Sequence, residues 1–117
     1  MKIISIKNHG FLDYITVLAF ALIPMIFGLE GIPAYLSYAL AAIHLSMTLL
    51  TAFPLGVVKV IPVKLHKLVE TIVGPVLVIV PWILGFSENL TARYVYVGMG
   101  LIIIAVGFLT DYFSENK

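Results

Sequence analysis

The sequence predicts an all-α membrane protein of four transmembrane helices, built from two tandem copies of a two-helix repeat. Three observations lead to this fold class: a strongly apolar composition, four apolar stretches of membrane-spanning length, and short motifs that recur at one fixed spacing. Hydrophobic residues make up 62% of the 117 residues, and charged residues only 11%. Soluble domains contain about 45–50% apolar and about 25% charged residues, so this chain cannot bury its apolar surface without lipid.

The apolar stretches lie near 11–29, 34–53, 67–86 and 92–112. A helix needs about 20 residues to cross about 30 Å of hydrocarbon, so each stretch is long enough to span a bilayer. We expect the first stretch to be a retained span rather than a signal peptide, because His9 and Asp13 lie at its start and no small-residue cleavage site follows it. Glycines and prolines between the stretches mark the turns.

The repeat is visible in four pairs of residues, each separated by 57 positions: His9 and His66, Asp13 and Glu70, Pro24 and Pro81, and Gly28 and Gly85. Within a single transmembrane domain, 1–117, the first repeat is predicted to cover about 9–53 and the second about 66–112. Because each repeat holds two spans, both copies have the same orientation. We therefore expect a pseudo-two-fold axis along the membrane normal.

Basic residues predict the orientation of the spans. Cytoplasmic segments of membrane proteins carry an excess of Lys and Arg. Arg93 alone lies at the opposite ends of the spans. Six lysines lie before the first span, around the connection between spans two and three, or at the end of the chain: Lys2, Lys7, Lys59, Lys64, Lys67 and Lys117. Both termini and the middle loop are therefore predicted to be cytoplasmic. The partner that the composition predicts is the lipid bilayer.

Several of these motifs resemble the SPW-repeat family of small prokaryotic membrane proteins, which is named for a Ser-Pro-Trp motif in the first helix of a two-helix repeat. The serine of that motif is replaced in both copies of this chain. The resemblance covers about residues 6–112 and rests on His9-Gly-Phe-Leu-Asp13-Tyr14, Ile23-Pro24-Met25, Val60-Ile-Pro62, Val80-Pro81-Trp82 and Gly85-Phe86-Ser87. It implies a four-helix bundle of two repeats in a prokaryotic cytoplasmic membrane, and it implies no activity.

The sharpest chemical feature is a His-x-x-x-acid pair in each repeat, His9 with Asp13 and His66 with Glu70. Residues four apart on a helix lie side by side. If the symmetry axis runs between the first and third spans, the two pairs meet at the same depth. Imidazole and carboxylate are suitable ligands for Zn²⁺, Mn²⁺ or Fe²⁺, so one hypothesis is a divalent metal site.

The plainer interpretation of the two pairs is structural. A carboxylate is costly to bury unless it has a partner, and the histidine of its own pair supplies one. A single His-x-x-x-acid pair is a weak metal signature, so the sequence alone favours this interpretation, with no cofactor expected. A haem between His9 and His66 is less favoured, because the chain has no c-type attachment motif and the haem would lie half outside the bilayer.

A second polar feature lies in the second span. His44 falls near the middle of this span, where an ionisable residue is expected to face the bundle interior or water. The hydroxyl side chains on the same helical face are Ser37, Thr48 and Thr51. The favoured interpretation is a neutral histidine that hydrogen-bonds a neighbouring helix, and the alternative is a proton relay or ligand contact within the membrane.

Enzyme signatures are absent from the sequence. It has no nucleophile-elbow serine, no phosphate-binding glycine loop and no H-E-x-x-H pattern. A net charge of +1 without a basic run argues against nucleic acid as a partner. We therefore expect a non-enzymatic, structural or accessory membrane protein, as a homo-oligomer or in a larger membrane complex. The alternative is a small metal-binding or proton- and ion-handling protein that uses the paired histidines and acids.

Overall fold

In a computed structural model, which describes residues 2–113, the chain folds into helices, and the predicted all-α class with four helices is confirmed. Its four helices within this range are α1 (Ile6–Phe27), α2 (Ile32–Leu50), α3 (Val63–Ile83) and α4 (Leu90–Leu109). Two short strands, β1 (Ile4–Ser5) and β2 (Thr110–Asp111), pair in parallel. Lys117, which contributes to the predicted orientation, lies outside the described residues.

Helices α1, α2 and α4 are long and apolar enough to cross a membrane. Helix α3 is less clearly apolar, because Lys64, Lys67 and Glu70 lie in its N-terminal turns. Hydropathy predicts that the first and third spans begin near residues 11 and 67, whereas α1 begins at residue 6 and α3 at residue 63. Both helices therefore begin with a polar turn that lies outside the apolar stretch recognised by hydropathy.

The turns that end α1 and α3 are built in the same way. Gly28 and Gly85 adopt left-handed backbone conformations, with φ of 63° and 78°, which glycine tolerates at a helix end. The next N–H in each turn donates to the carbonyl oxygen of Pro24 or Pro81, at 2.9 and 2.8 Å. These four residues are the repeat markers, so the 57-residue spacing recurs in the local structure.

Each helix packs mainly against its sequence neighbour, α1 against α2 and α3 against α4. Gly74 and Gly100 let α3 and α4 approach closely, since a Cβ atom on Gly100 would lie 2.7 Å from the carbonyl oxygen of Gly74. A core that includes Phe20, Leu77 and Tyr96 joins the two hairpins. Each predicted repeat is thus a helix hairpin, and the symmetry between the hairpins stays a prediction.

One end of the bundle gathers four helix termini. Pairing of β1 with β2 places the start of α1 beside the end of α4. An isolated bridge between Thr51 and Ile61 likewise places the end of α2 beside the start of α3. Side chains from the first turns of α1 and α3 therefore meet side chains from the last turns of α2 and α4.

Candidate metal centre

Two histidines and two acids converge at this end of the bundle: His9, Asp13, His66 and Glu70. Each offers one ligand atom, and these atoms all lie within 4.8 Å of one another. The side chains are buried, with exposed fractions from 0% for His9 to 7% for Glu70. The structure therefore brings the two sequence-predicted pairs together, and we call these four residues the His/acid centre.

Each histidine contacts the acids of both repeats. His9 Nε2 lies 2.9 Å from Glu70 Oε2 and 3.3 Å from Asp13 Oδ1. His66 Nε2 lies 2.6 Å from Glu70 Oε1 and 3.0 Å from Asp13 Oδ2. The structural interpretation of the sequence expected each histidine to pair with its own acid. The observed arrangement is instead shared, so neither repeat forms its half of the centre alone.

Threonine hydroxyls fix the orientation of both imidazole rings. His9 Nδ1 lies 2.9 Å from Thr110 Oγ1, and His66 Nδ1 lies 2.7 Å from Thr51 Oγ1. Each threonine is 2.6 Å from the carbonyl oxygen four residues earlier in its own chain segment, to which it donates its hydroxyl hydrogen. Because a hydroxyl has one hydrogen to donate, each Oγ1 accepts from the imidazole Nδ1–H. The Nδ1 atom of both rings therefore carries a hydrogen.

This tautomer leaves Nε2 of both rings to interact with the acids. Metal-ligating histidines commonly donate the other ring N–H to an outer acceptor, which fixes the tautomer and the ring orientation. Within residues 2–113, His9 Nε2 and Asp13 Oδ2 are buried and lie 2.9 Å from Glu70 Oε2 and 3.0 Å from His66 Nε2, but neither contact has the alignment of a hydrogen bond. Buried polar atoms in proteins are nearly always satisfied. A ligand at the middle of the cluster would satisfy both of these atoms.

Aromatic rings cover the outer side of both histidines. The Phe53 ring lies 5.3 Å from the His66 ring, and the Tyr112 ring lies 5.0 Å from the His9 ring, measured between centroids. Burial raises the pKa of the Tyr112 phenol, and the nearby negative charge of Glu70 and Asp13 raises it further. The phenol therefore keeps its proton and donates to Glu70 Oε2 over a long 3.5 Å.

His44 lies beside the same centre. Its Nε2 atom is 3.4 Å from Asp13 Oδ1 and 4.0 Å from Glu70 Oε1, and it is buried without a hydrogen-bond partner among residues 2–113. The sequence predicted that His44 faces the bundle interior, which the structure shows. It does not form a separate site, because its nearest charged groups are the two acids of the His/acid centre.

The hydroxyl residues predicted to accompany His44 serve two purposes. Ser37 donates to the backbone carbonyl of Phe20 at 2.6 Å, and Thr48 donates to the carbonyl of His44 at 2.7 Å. Thr51 alone among them reaches the centre, through His66. Of the hydroxyl residues on the face of His44, Ser37 and Thr48 therefore bond backbone carbonyls, and Thr51 orients the His66 imidazole.

Sequence reasoning missed Thr110 and Tyr112. A signal for both exists, because Leu109-Thr110-Asp111-Tyr112 matches Leu50-Thr51-Ala52-Phe53 in the pattern Leu-Thr-x-aromatic. These copies lie 59 positions apart rather than 57, so a search at one fixed spacing passes over them.

Comparison of the chain with protein-family models, with curated proteins and with solved structures finds no match. The resemblance to the SPW-repeat family therefore stays a prediction, and the His/acid centre is the feature of this chain that bears on its function.

Proposed function

We propose that this chain is an integral membrane protein that binds one divalent transition-metal ion, and that the ion joins its two helix hairpins. The ligands are His9 Nε2, His66 Nε2 and one carboxylate oxygen each from Asp13 and Glu70. One observation carries the proposal: threonine hydroxyls hold Nδ1–H of both imidazoles, so that both Nε2 atoms face the two acids. This is the outer-shell arrangement that metal-ligating histidines use.

Charge and distance both suit such an ion. Two carboxylates balance the charge of a divalent cation, so the loaded site would be neutral in its buried surroundings. With metal–ligand bonds of about 2.0–2.2 Å, neighbouring tetrahedral ligands are about 3.4 Å apart. The nitrogen–oxygen distances of 2.6–3.3 Å across the centre are close to that value, and one ligand atom from each of the four residues lies within 4.8 Å of the others.

The donor set narrows the choice of metal. Imidazole nitrogen with carboxylate oxygen suits Zn²⁺, Fe²⁺ and Mn²⁺, and the described residues offer no thiolate because the chain has no cysteine. His44 Nε2 lies close enough to the acids to approach a bound ion from the side of α2. We therefore propose four ligands with His44 as a neighbour that stabilises the loaded centre.

The orientation in the membrane is part of the proposal. Three of the helices are compatible with membrane insertion, and the lysines before α1 and between α2 and α3 support cytoplasmic placement of both segments. The centre then lies near the cytoplasmic surface. A metal that joins the hairpins adds its binding free energy to folding, which fits a non-enzymatic, structural role.

A second candidate function is a metal-free structural cluster, which one observation favours. His66 Nε2 and Glu70 Oε1 are 2.6 Å apart and share a hydrogen bond. In this case protons replace the metal, and two imidazolium rings balance two carboxylates. The two candidates differ in whether purified protein holds a metal.

The test is the metal content and thermal unfolding of protein purified in detergent without chelators. We expect about one metal ion per chain, and an unfolding temperature that rises when Zn²⁺, Mn²⁺ or Fe²⁺ is added to metal-depleted protein. A ligand at about 100 times its Kd stabilises the folded state by about 2.7 kcal/mol. A metal-free protein whose unfolding temperature ignores all three ions would establish the structural cluster instead.

A matched pair of variants separates the centre from general surface charge. Glu70→Gln removes a buried ligand, whereas Glu88→Gln removes an exposed carboxylate from the turn between α3 and α4. We expect Glu70→Gln to lose the metal and Glu88→Gln to retain it. Equal metal content in the two variants would contradict the proposed ligand set.

A further inference from the structure

A groove of about 360 Å³ lies between α3 and α4 on the outer surface, at the same end of the bundle as the centre. Its walls are mostly apolar, and its polar lining comes from two lysines, one threonine and the edge of Glu70. Lys2 and Lys67 contribute to its polar lining, and Gly107 and Phe108 to its apolar lining. We call this feature the α3–α4 groove.

The apolar part of the groove is open because residue 107 is a glycine and has no side chain. A Cβ atom added to Gly107 would meet only the Tyr112 hydroxyl, at the ordinary contact distance of 3.8 Å, so α4 leaves open space at this position. Phe108 beside it is 74% exposed and extends the apolar wall outward. Since this surface faces hydrocarbon when the helices are inserted, the space suits an acyl chain.

The polar end of the groove is cationic. The Lys67 ammonium lies 5.4 Å from the Tyr112 ring centroid and 5.9 Å from that of Phe113, and both rings attract it to this position. Lys2 lines the same end. Glu70 does not cancel these charges, because its carboxylate lies against both histidines of the His/acid centre.

From these contacts we infer that the α3–α4 groove binds one anionic membrane phospholipid. The headgroup phosphate lies between Lys2 and Lys67, and one acyl chain follows α4 past Gly107. Basic pockets between helices at the cytoplasmic side of membrane proteins are a recognised binding environment for anionic headgroups. A zwitterionic lipid binds more weakly, because its own cation repels the lysines. This inference is independent of the metal.

The test is native mass spectrometry of the detergent-purified chain, titrated with phosphatidylglycerol, with phosphatidylcholine of the same acyl chains, and with glycerol phosphate. We expect one phosphatidylglycerol per chain to bind at least about five-fold more tightly than phosphatidylcholine, as one or two lysines near an anionic surface provide. Glycerol phosphate should not compete. Equal binding of the two lipids, or full competition by glycerol phosphate, would overturn the inference.

Two pairs of variants locate the site. Lys67→Gln should weaken phosphatidylglycerol binding about five-fold, whereas Lys64→Gln, an exposed lysine of the same helix, should not. Gly107→Leu should fill the groove and remove binding of both lipids. Gly98→Leu, which places the same side chain in open space elsewhere on α4, should retain it. Equal effects of Lys67→Gln and Lys64→Gln would overturn the assignment even if Gly107→Leu fails to fold.

Discussion

The two halves of the His/acid centre are alike in geometry and unlike in their surroundings. Around both His9 and His66, Nδ1 faces a threonine hydroxyl and Nε2 faces the two acids. The residue after each histidine differs: Gly10 packs beneath the loop that follows α2, whereas Lys67 lies over the Tyr112 ring. The two halves therefore share a threonine hydroxyl that orients the imidazole ring and two carboxylates that face its Nε2 atom.

Each half of the centre takes its histidine and its threonine from different hairpins. The hydroxyl that holds His9 comes from Thr110 after α4, and the one that holds His66 comes from Thr51 after α2. Each half of the centre thus needs both hairpins. An arrangement of this kind couples docking of the hairpins to assembly of the centre, and it makes equivalent substitutions in the two halves directly comparable.

The largest expected effect comes from His9→Gln and His66→Gln. Each removes one of the two imidazoles that face both buried carboxylates, and breaking a buried ion pair from one side costs about 3–5 kcal/mol. We expect both variants to lose the metal and to fall in stability by similar amounts, measured by elemental analysis and by chemical unfolding in detergent. Loss of metal from only one variant would show that the halves are not equivalent.

A smaller effect is expected from Thr51→Val and Thr110→Val, which remove the hydroxyl acceptors and keep the shape of the side chain. Loss of an outer-shell partner typically lowers metal affinity about 10–100-fold. Thr71→Val is the control, because Thr71 makes the same hydrogen bond to the carbonyl four residues earlier without contacting a histidine. Metal titrations should show equal losses for the first two variants and none for the control.

His44→Leu tests the main asymmetry between the hairpins, since the residue 57 positions later is Leu101. If the four proposed ligands suffice, the variant keeps about one metal per chain. Its affinity should fall less than the about 10–100-fold typical of an outer-shell partner. Complete loss of metal from His44→Leu would instead make His44 a fifth ligand, and the centre would no longer be symmetric.

The smallest expected effect is that of Tyr112→Phe, which makes the aromatic cover of His9 the same as that of His66. The hydrogen bond it removes is long, at 3.5 Å, so we expect a loss near the lower end of the usual contribution, about 0.5 kcal/mol. Thermal unfolding of the two proteins side by side measures it. A loss several times larger would mean that Tyr112 holds Glu70 in place.

Composition, span length and the 57-residue spacing were enough to predict the four helices and the convergence of the two His/acid pairs. The threonines were missed because the spacing drifts along the repeat: α1 and α3 begin 57 positions apart, α2 and α4 begin 58 apart, and Thr51 and Thr110 lie 59 apart. The turn inside the second hairpin, 84–89, is longer than the turn 28–31 inside the first, and α4 has 20 residues where α2 has 19. Side-chain packing tolerates these differences, but a comparison at one fixed spacing does not.

The position of His44 shows a different limit. The sequence places His44 on the same helical face as three hydroxyl residues, and this face is expected to point inward, but the pattern does not indicate which neighbouring helix His44 contacts. That choice depends on how α2 packs against α1 and α3 together. Its approach to Asp13 is a consequence of tertiary packing, which periodicity within one helix cannot encode.

X-ray absorption spectroscopy of the Zn²⁺-loaded chain tests the central claim most directly, because it counts the imidazoles bound to the metal. The account predicts two imidazole nitrogens and two carboxylate oxygens at about 2.0–2.2 Å, with one imidazole fewer in any His9→Gln protein that still takes up Zn²⁺. A shell made of oxygen alone, or one that His9→Gln and His66→Gln leave unchanged, would contradict it.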